Sequence, residues 1–230
     1  VGMSEWKSVA TANDLDRALA THIANRLEQD ITVHGCASLA VSGGSTPKEM
    51  FRLLSCARLD WSKVWVTLVD ERWVDPSSED SNERLVKENL LRENASSAHF
   101  VSLKSEHPDA RQAVTEISEN LAAVPVPFSM LVLGMGGDGH TASWFPGASN
   151  LDELLDMQNP DRVAASDPPE APHQRMTLTL AAVLDSRDIA VHITGEKKKT
   201  VLTNATARGY PIAAVVDQQK TPVTIWWAPS

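Results

Sequence analysis

Cysteine is scarce in this 230-residue sequence, which contains only Cys36 and Cys56. Two thiols are too few for a disulfide-stabilised scaffold or for a zinc site built on cysteine, and they are typical of a protein kept in a reducing compartment. The N-terminus also lacks the basic start and the apolar stretch of a signal peptide. We therefore expect a cytoplasmic protein, in which Val1 and Gly2 look like a cloning remnant ahead of a natural start at Met3.

Long apolar runs and an excess of positive charge are absent as well. The longest apolar runs, Val64–Val69 and Met130–Met135, are far shorter than the ~18–20 residues that span a bilayer. The net charge is −9, from 21 basic and 30 acidic side chains. Nucleic-acid binding would need a concentrated basic patch, and no patch of useful size stands out. We expect no nucleic-acid or membrane partner, but a small-molecule substrate and a monomer or weak homodimer.

What the sequence does contain is an alternation of helical and strand patterns. Leu15, Leu19, Ile23 and Leu27 repeat at the spacing of an amphipathic helix. Helices are also predicted at 82–93, 110–121 and 197–207, and strands at 39–41, 64–69, 128–133, 189–194 and 223–227. The proline-rich segment 146–172 is expected to be irregular apart from a short helix at 151–157. The alternation predicts an α/β fold with a mostly parallel sheet, as a single domain over residues 1–230.

The first candidate site is a loop rich in glycine and hydroxyl groups after the strand at 39–41. Ligands of open parallel sheets bind at the carboxyl ends of the strands. This loop offers backbone N–H groups, hydroxyls and the N-terminus of a helix, all of which suit a phosphate. Thr46 is predicted to cap that helix, with Pro47 in its first turn and Glu49 completing a capping box. The alternative is an ordinary turn. The loop consists of Ser42, Gly43, Gly44, Ser45 and Thr46.

The second candidate is the glycine-rich segment from Gly134 to His140, which follows the strand at 128–133. Its G-x-G-x-x-G spacing matches the dinucleotide fingerprint, but it lies outside a first strand–helix–strand unit, so nicotinamide or flavin binding is disfavoured. Within it, His140 is a candidate general base, and Asp138 could orient its ring. One alternative is that His140 only caps a helix. The other is that Asp138 and His140 bind a metal ion, although no other histidine lies at a spacing typical of metal ligands.

Cations near other predicted strand ends complete the set of candidates. Arg72 directly follows Asp70 and Glu71, so it could stabilise an oxyanion or simply form an ion pair with either carboxylate. Arg175 and the run Lys197–Lys199 could bind a phosphate, although three lysines in a row also suit a solvated helix start.

Taken together, these segments resemble the 6-phosphogluconolactonase family. They occur in the family's order and cover residues from about 38 to 202. The matching elements are Val41-Ser42-Gly43-Gly44-Ser45-Thr46-Pro47, Asp70-Glu71-Arg72-Trp73 with Ser81-Asn82, Gly134-Met135-Gly136-Gly137-Asp138-Gly139-His140-Thr141-Ala142-Ser143, Arg175-Met176-Thr177 and Gly195-Glu196-Lys197-Lys198.

The resemblance implies a Rossmann-like three-layer α/β/α domain, hydrolysis of 6-phospho-D-glucono-1,5-lactone to 6-phosphogluconate, and no metal or organic cofactor. It places the catalytic histidine at His140, the associated aspartate at Asp138 and the active-site arginine at Arg72. It assigns phosphate binding to the Ser42–Thr46 loop, Arg175 and Lys198; the choice among the three lysines is the least secure of these.

Two other functions stay open at this point. The related glucosamine-6-phosphate deaminases share the phosphate loop and the Asp-Gly-His segment. They usually carry an acidic residue soon after the histidine, whereas His140 is followed by Thr141-Ala142-Ser143-Trp144-Phe145-Pro146. A non-catalytic regulator that senses sugar phosphates could use the same fold without turnover.

Overall fold

The computed structural model describes residues 4–230, so the proposed remnant and start at residues 1–3 lie outside the described part. Within it, the strands are β1 Glu5–Ser8, β2 Ala37–Val41, β3 Val64–Leu68, β4 Asp70–Arg72, β5 His99–Val101, β6 Met130–Leu133, β7 Val163–Ser166, β8 Arg175–Leu178, β9 Ile189–Thr194 and β10 Val223–Ala228. The α-helices are α1 Ala12–His34, α2 Lys48–Ser55, α3 Asn82–Asn89, α4 Ala110–Leu121, α5 Leu151–Leu154, α6 Leu180–Val183, α7 Glu196–Thr203, α8 Ala205–Arg208 and α9 Ala213–Val216.

Seven strands form the main sheet, in the order β1-β10-β9-β6-β2-β3-β5. Every neighbouring pair in it is parallel, which confirms the predicted fold class. All residues of β2 and β6 are buried, as expected for central strands covered on both faces. The edge strand β1 and its neighbour β10 come from opposite ends of the chain, and their parallel pairing supports the expected single domain.

Helix α1 packs against this sheet through the four residues that its periodicity singled out. Leu15, Leu19, Ile23 and Leu27 are all fully buried. The helix begins after Thr11, whose hydroxyl accepts a hydrogen bond from the backbone N–H of Asp14. No helix among residues 4–230 is long and apolar enough to cross a membrane.

The capping box predicted for the next helix is wrong. Helix α2 begins at Lys48, with Pro47 at the N-cap and no side-chain capping bond. The carboxylate of Glu49 points instead to Arg52, at 3.5 Å. Because the helix starts one residue later than predicted, Thr46 belongs to the preceding loop.

A small antiparallel sheet, β4-β8-β7, was not foreseen as such. The triplet 70–72, which follows the predicted strand 64–69, is itself strand β4, and the proline-rich segment, expected to be irregular, contains strand β7. In this sheet β4 pairs with β8, so that Arg72 lies directly opposite Arg175. The small sheet therefore brings together two cations that are about a hundred residues apart in the chain.

Candidate active site

A cavity of about 240 Å³ opens at the carboxyl ends of β2, β6 and β9, where the parallel sheet predicts a ligand site. The loops after β2 and β6 form two of its walls, and the small sheet forms a third. All but one of the predicted site residues line it. They are Ser42, Gly43, Gly44, Ser45, Thr46, Arg72, His140, Arg175 and Lys198.

The remaining predicted residue, Asp138, is not itself a lining residue but is hydrogen-bonded to His140, which is one. Its Oδ1 is 2.6 Å from Nδ1 of the imidazole and also accepts the backbone N–H of His140 at 3.1 Å. A carboxylate at this distance fixes the proton on Nδ1. The lone pair on Nε2 is then available, and Nε2 has no hydrogen-bond partner among the described residues. The pair has the arrangement of a general base with its orienting carboxylate.

The hydrogen bonds between Asp138 and His140 lower the pKa of the Asp138 carboxyl group. Burial by itself would raise the pKa of Asp138, but the backbone N–H of His140, the charge of its imidazolium form and the ring hydrogen bond outweigh it, so that the pKa lies below its ordinary value. Asp138 is therefore ionised at neutral pH and can stabilise a positive charge on the ring.

Gly136 explains why the pair can lie so close to the backbone. A Cβ at this position would lie 2.1 Å from Nδ1 of His140 and 2.6 Å from Oδ1 of Asp138. No side chain fits there. The glycine that resembled part of a dinucleotide fingerprint is thus needed for packing under the Asp–His pair. No helix follows the segment directly, since the next one is α5, so a dinucleotide phosphate would find no helix N-terminus there.

Two arginines face the cavity without a carboxylate partner. Nη1 of Arg72 donates to the carbonyl of Asp80 at 2.7 Å, and Nη2 of Arg175 donates to Pro172 at 3.4 Å. Among residues 4–230, neither arginine forms an ion pair, so the alternative of an Arg72 ion pair with a neighbouring carboxylate is not observed. Burial lowers the pKa of Arg175, although Asp70 partly opposes this. Two adjacent cations with free donors suit an anionic ligand.

The three consecutive lysines differ in where they lie. Lys198 lines the cavity, and its ammonium group donates to the carbonyl of Met135. Lys199 turns away, with its Nζ 3.9 Å from the centre of the Trp227 ring, and Lys197 is exposed. Burial lowers the pKa of Lys198, while the charge of Asp138 opposes that shift.

Glu71, which the sequence presented only as a partner for Arg72, has a supporting role. Its buried carboxylate accepts the backbone N–H groups of Arg72, Asn82 and Glu83, each at 2.8 Å, and the hydroxyl of Ser81 at 3.2 Å. Burial raises the pKa of Glu71, and the backbone hydrogen bonds work against that rise. These bonds tie β4 to the first turn of α3, so that the arginine on β4 has a fixed place.

Asn82, which the sequence offered only as part of the Ser81-Asn82 element of the family resemblance, also lines the cavity. The N-cap of α3 is Ser81. Nδ2 of Asn82 donates to the carbonyl of Asp70 at 2.9 Å. A Cβ on Gly43 would lie 2.0 Å from Oδ1 of Asn82. Only glycine fits at position 43, where the Ser42–Thr46 loop packs against the Asn82 amide. Nothing in the local sequence around either residue indicates this contact.

No group of three or more histidine, cysteine, aspartate or glutamate side chains that could hold a metal ion occurs in the described part of the chain. Two histidine–carboxylate pairs lie at the cavity, Asp138 with His140 at 2.6 Å and Asp16 with His192 at 3.3 Å, and among the described residues neither pair is joined by a third such ligand.

Comparison with known proteins identifies the class. A family model described as glucosamine-6-phosphate isomerases/6-phosphogluconolactonase matches residues 10–226. The chain belongs to this family.

Within the family, the similar proteins are mainly of one kind. The chain is 46% identical to a 6-phosphogluconolactonase of Rhizobium meliloti (strain 1021), covering 94% of each chain. It is 39% identical to one from Pseudomonas aeruginosa, covering 100% of this chain and 95% of that one. A solved 6-phosphogluconolactonase from Shewanella baltica OS155 superposes with a TM-score of 0.95 and 44% identity, over 98% of this chain and 97% of that one.

A monomeric glucosamine-6-phosphate deaminase shares the fold, with a TM-score of 0.79 over 97% of each chain. Its identity to this chain is only 16%, so this likeness concerns the fold alone.

Proposed function

We propose that this chain is a lactone hydrolase that acts on a phosphorylated sugar. Its substrate is 6-phospho-D-glucono-1,5-lactone, and its product is 6-phospho-D-gluconate, which makes it the second enzyme of the oxidative pentose phosphate pathway. The observation that carries the proposal is one cavity with an Asp–His pair on one wall and unpaired cations on the others. The curated relatives at 46% and 39% identity support the same activity.

The Asp–His pair supplies the base. Nε2 of His140 takes a proton from water as the water oxygen attacks the lactone carbonyl C1, and general-base help of this kind gives ~10²–10⁴-fold. Asp138 holds the ring and stabilises the imidazolium that forms. Arg72 stabilises the oxyanion on the carbonyl oxygen, a contribution of about 3 kcal/mol in comparable sites. When the bond between C1 and the ring oxygen breaks, His140 returns the proton to that oxygen.

The cations on the other walls hold the far end of the sugar. The 6-phosphate lies against the Ser42–Thr46 loop, with Arg175 and Lys198 as its charged partners. Binding energy from this remote group aligns C1 with the base, which lowers the entropic cost of reaching the transition state. Ser143 is not a nucleophile in this scheme, because its hydroxyl is buried and donates to Oδ2 of Asp70 at 2.6 Å.

A cytosolic location and a monomeric or weakly dimeric state complete the proposal. The location is supported by the two free thiols, Cys36 and Cys56, which form no disulfide.

Turnover of freshly prepared substrate tests the function. The purified chain is added to 6-phosphogluconolactone, and acid release is followed above the spontaneous rate, with and without a metal chelator. We expect rapid release that the chelator does not change. In parallel, glucosamine 6-phosphate is tested for ammonia release. Binding of the lactone without acid release would indicate a regulator, and ammonia release would indicate a deaminase.

The neighbouring lysines provide a matched pair of variants. Lys198→Ala is expected to raise KM for the phosphorylated lactone by roughly 10-fold, the usual effect of losing one charge-assisted hydrogen bond. Lys199→Ala should leave KM unchanged, because this side chain lies on Trp227 outside the cavity. Steady-state kinetics on both variants checks this, and equal changes in the two would remove Lys198 from the phosphate site.

A further inference from the structure

Phe145 lies between two of the residues that the proposed function uses most. Its ring centre is 4.4 Å from that of His140, with the two planes inclined by 31°. The guanidinium carbon of Arg175 is 5.4 Å from the same phenyl ring centre. The side chain is buried, and it does not line the cavity. It therefore touches the base and the phosphate anchor from behind, without access to the substrate.

The backbone around Phe145 is anchored to the small sheet. The indole N–H of the preceding residue, Trp144, donates to the carbonyl of Leu178 at 2.8 Å, and the whole side chain is fully buried. Residues Thr141 and Trp144 form a β-bridge, which closes the turn between His140 and Phe145. The phenyl ring is thus held on a fixed support.

Both partners of Phe145 need such a support. The hydrogen bond to Asp138 holds only the Nδ1 edge of His140 and leaves the ring free to tilt about that contact. Arg175 has one side-chain hydrogen bond, to Pro172, and at 3.4 Å it is long. Packing on the phenyl ring restrains each of them, through a tilted ring–ring contact for the imidazole and a cation–π contact for the guanidinium.

We infer that Phe145 is a positioning residue that sets the distance between the general base and the phosphate anchor. One ring restrains both groups, so that a sugar held by its phosphate presents C1 at the right distance from Nε2 of His140. The inference rests on the proposed function and adds a residue that makes no contact with substrate. Misplacement of a reacting group by as little as 1 Å can cost ~10²-fold in rate.

The variant Phe145→Leu removes the aromatic face and keeps an apolar side chain. Its kinetics are measured on 6-phosphogluconolactone and on unphosphorylated gluconolactone. We expect kcat to fall by roughly 10-fold on both lactones, because the base is no longer held. We also expect the preference in kcat/KM for the phosphorylated lactone to shrink by about 5-fold, since the cation–π contact that holds Arg175 is lost. If the substitution only lowered the stability of the fold, both kcat and the preference in kcat/KM would stay unchanged.

Two further variants separate positioning from folding. Phe145→Tyr keeps the ring and should retain both constants close to those of the unaltered chain. Phe128→Leu is the matched control, since Phe128 is fully buried and has the guanidinium of Arg162 at 5.8 Å, but lies outside the cavity wall. It should lower the melting temperature and leave the kinetics unchanged. If Phe145→Leu does not fold, Phe145→Met is measured in the same way.

Unchanged kinetics in a folded Phe145→Leu or Phe145→Met variant would overturn the inference. So would a fall in kcat with the preference for the phosphorylated lactone intact, because the ring would then support His140 alone. If the unaltered chain does not hydrolyse the lactone at all, the proposed function fails first, and that result is distinguishable from these.

Discussion

Replacing His140 with alanine is expected to reduce kcat for 6-phosphogluconolactone by at least ~10²-fold while KM stays within a few-fold. In the proposed mechanism the imidazole is the general base, whereas affinity comes from the Ser42–Thr46 loop, Arg175 and Lys198, which this substitution leaves in place. Rates are measured by acid release, with the spontaneous hydrolysis of the lactone subtracted at each pH.

A second histidine–aspartate pair provides the control for this variant. Nε2 of His22 lies 2.8 Å from Oδ2 of Asp188, so this pair is similarly close to that of His140 and Asp138 but joins through the other ring nitrogen, and neither of its residues lines the cavity. His22→Ala should leave kcat unchanged. If His140→Ala turns over the lactone as fast as His22→Ala does, His140 has no part in the chemistry.

Replacing Arg175 with alanine should act on binding rather than on turnover. We expect KM for the phosphorylated lactone to rise by roughly 10- to 100-fold, since hydrogen bonds to charged groups contribute about 1.5–3 kcal/mol. Unphosphorylated gluconolactone has nothing for this guanidinium to hold, so its kinetics should hardly change. The measurement is a comparison of KM for the two lactones in the variant and in the unaltered chain.

Arg162 is the matched control for Arg175. It too is a partly buried arginine whose pKa is lowered by burial, and it lies over the ring of Phe128, away from the cavity. Arg162→Ala should lower stability without affecting either KM. An equal loss on both lactones in Arg175→Ala would contradict the assignment of this residue to the phosphate.

Much of the fold follows from local patterns in the sequence. The helical spacing of Leu15 to Leu27 and the short apolar strands predict the parallel sheet, because burial on both faces leaves a direct mark on composition. The small antiparallel sheet leaves no such mark. Strand β4 has only three residues, and its pairing with β8 joins segments about a hundred positions apart. A prediction from local periodicity cannot recover that pairing.

Some residues of the candidate site can likewise be predicted from the sequence, and others only from the structure. The rule that ligands bind at strand ends is enough to find the Ser42–Thr46 loop and His140. Which of the three lysines lines the cavity depends on how helix α7 is oriented about its axis. Consecutive helical residues point about 100° apart, so only some of them can face a given wall. The sequence assigns no site role to Asn82 or Phe145, because the contacts of Asn82 with Gly43 and of Phe145 with Arg175 join segments that are far apart in the chain.

The location of the bound product, 6-phosphogluconate, tests the central claim most directly. A crystal structure of the complex should place the phosphate within hydrogen-bond distance of Arg175, Lys198 and the Ser42–Thr46 loop. The C1 carboxylate should lie near Arg72, with Nε2 of His140 either in direct contact or one water molecule away. A complex with the phosphate elsewhere in the cavity, or with C1 beyond the reach of a single bridging water from His140, would contradict the account.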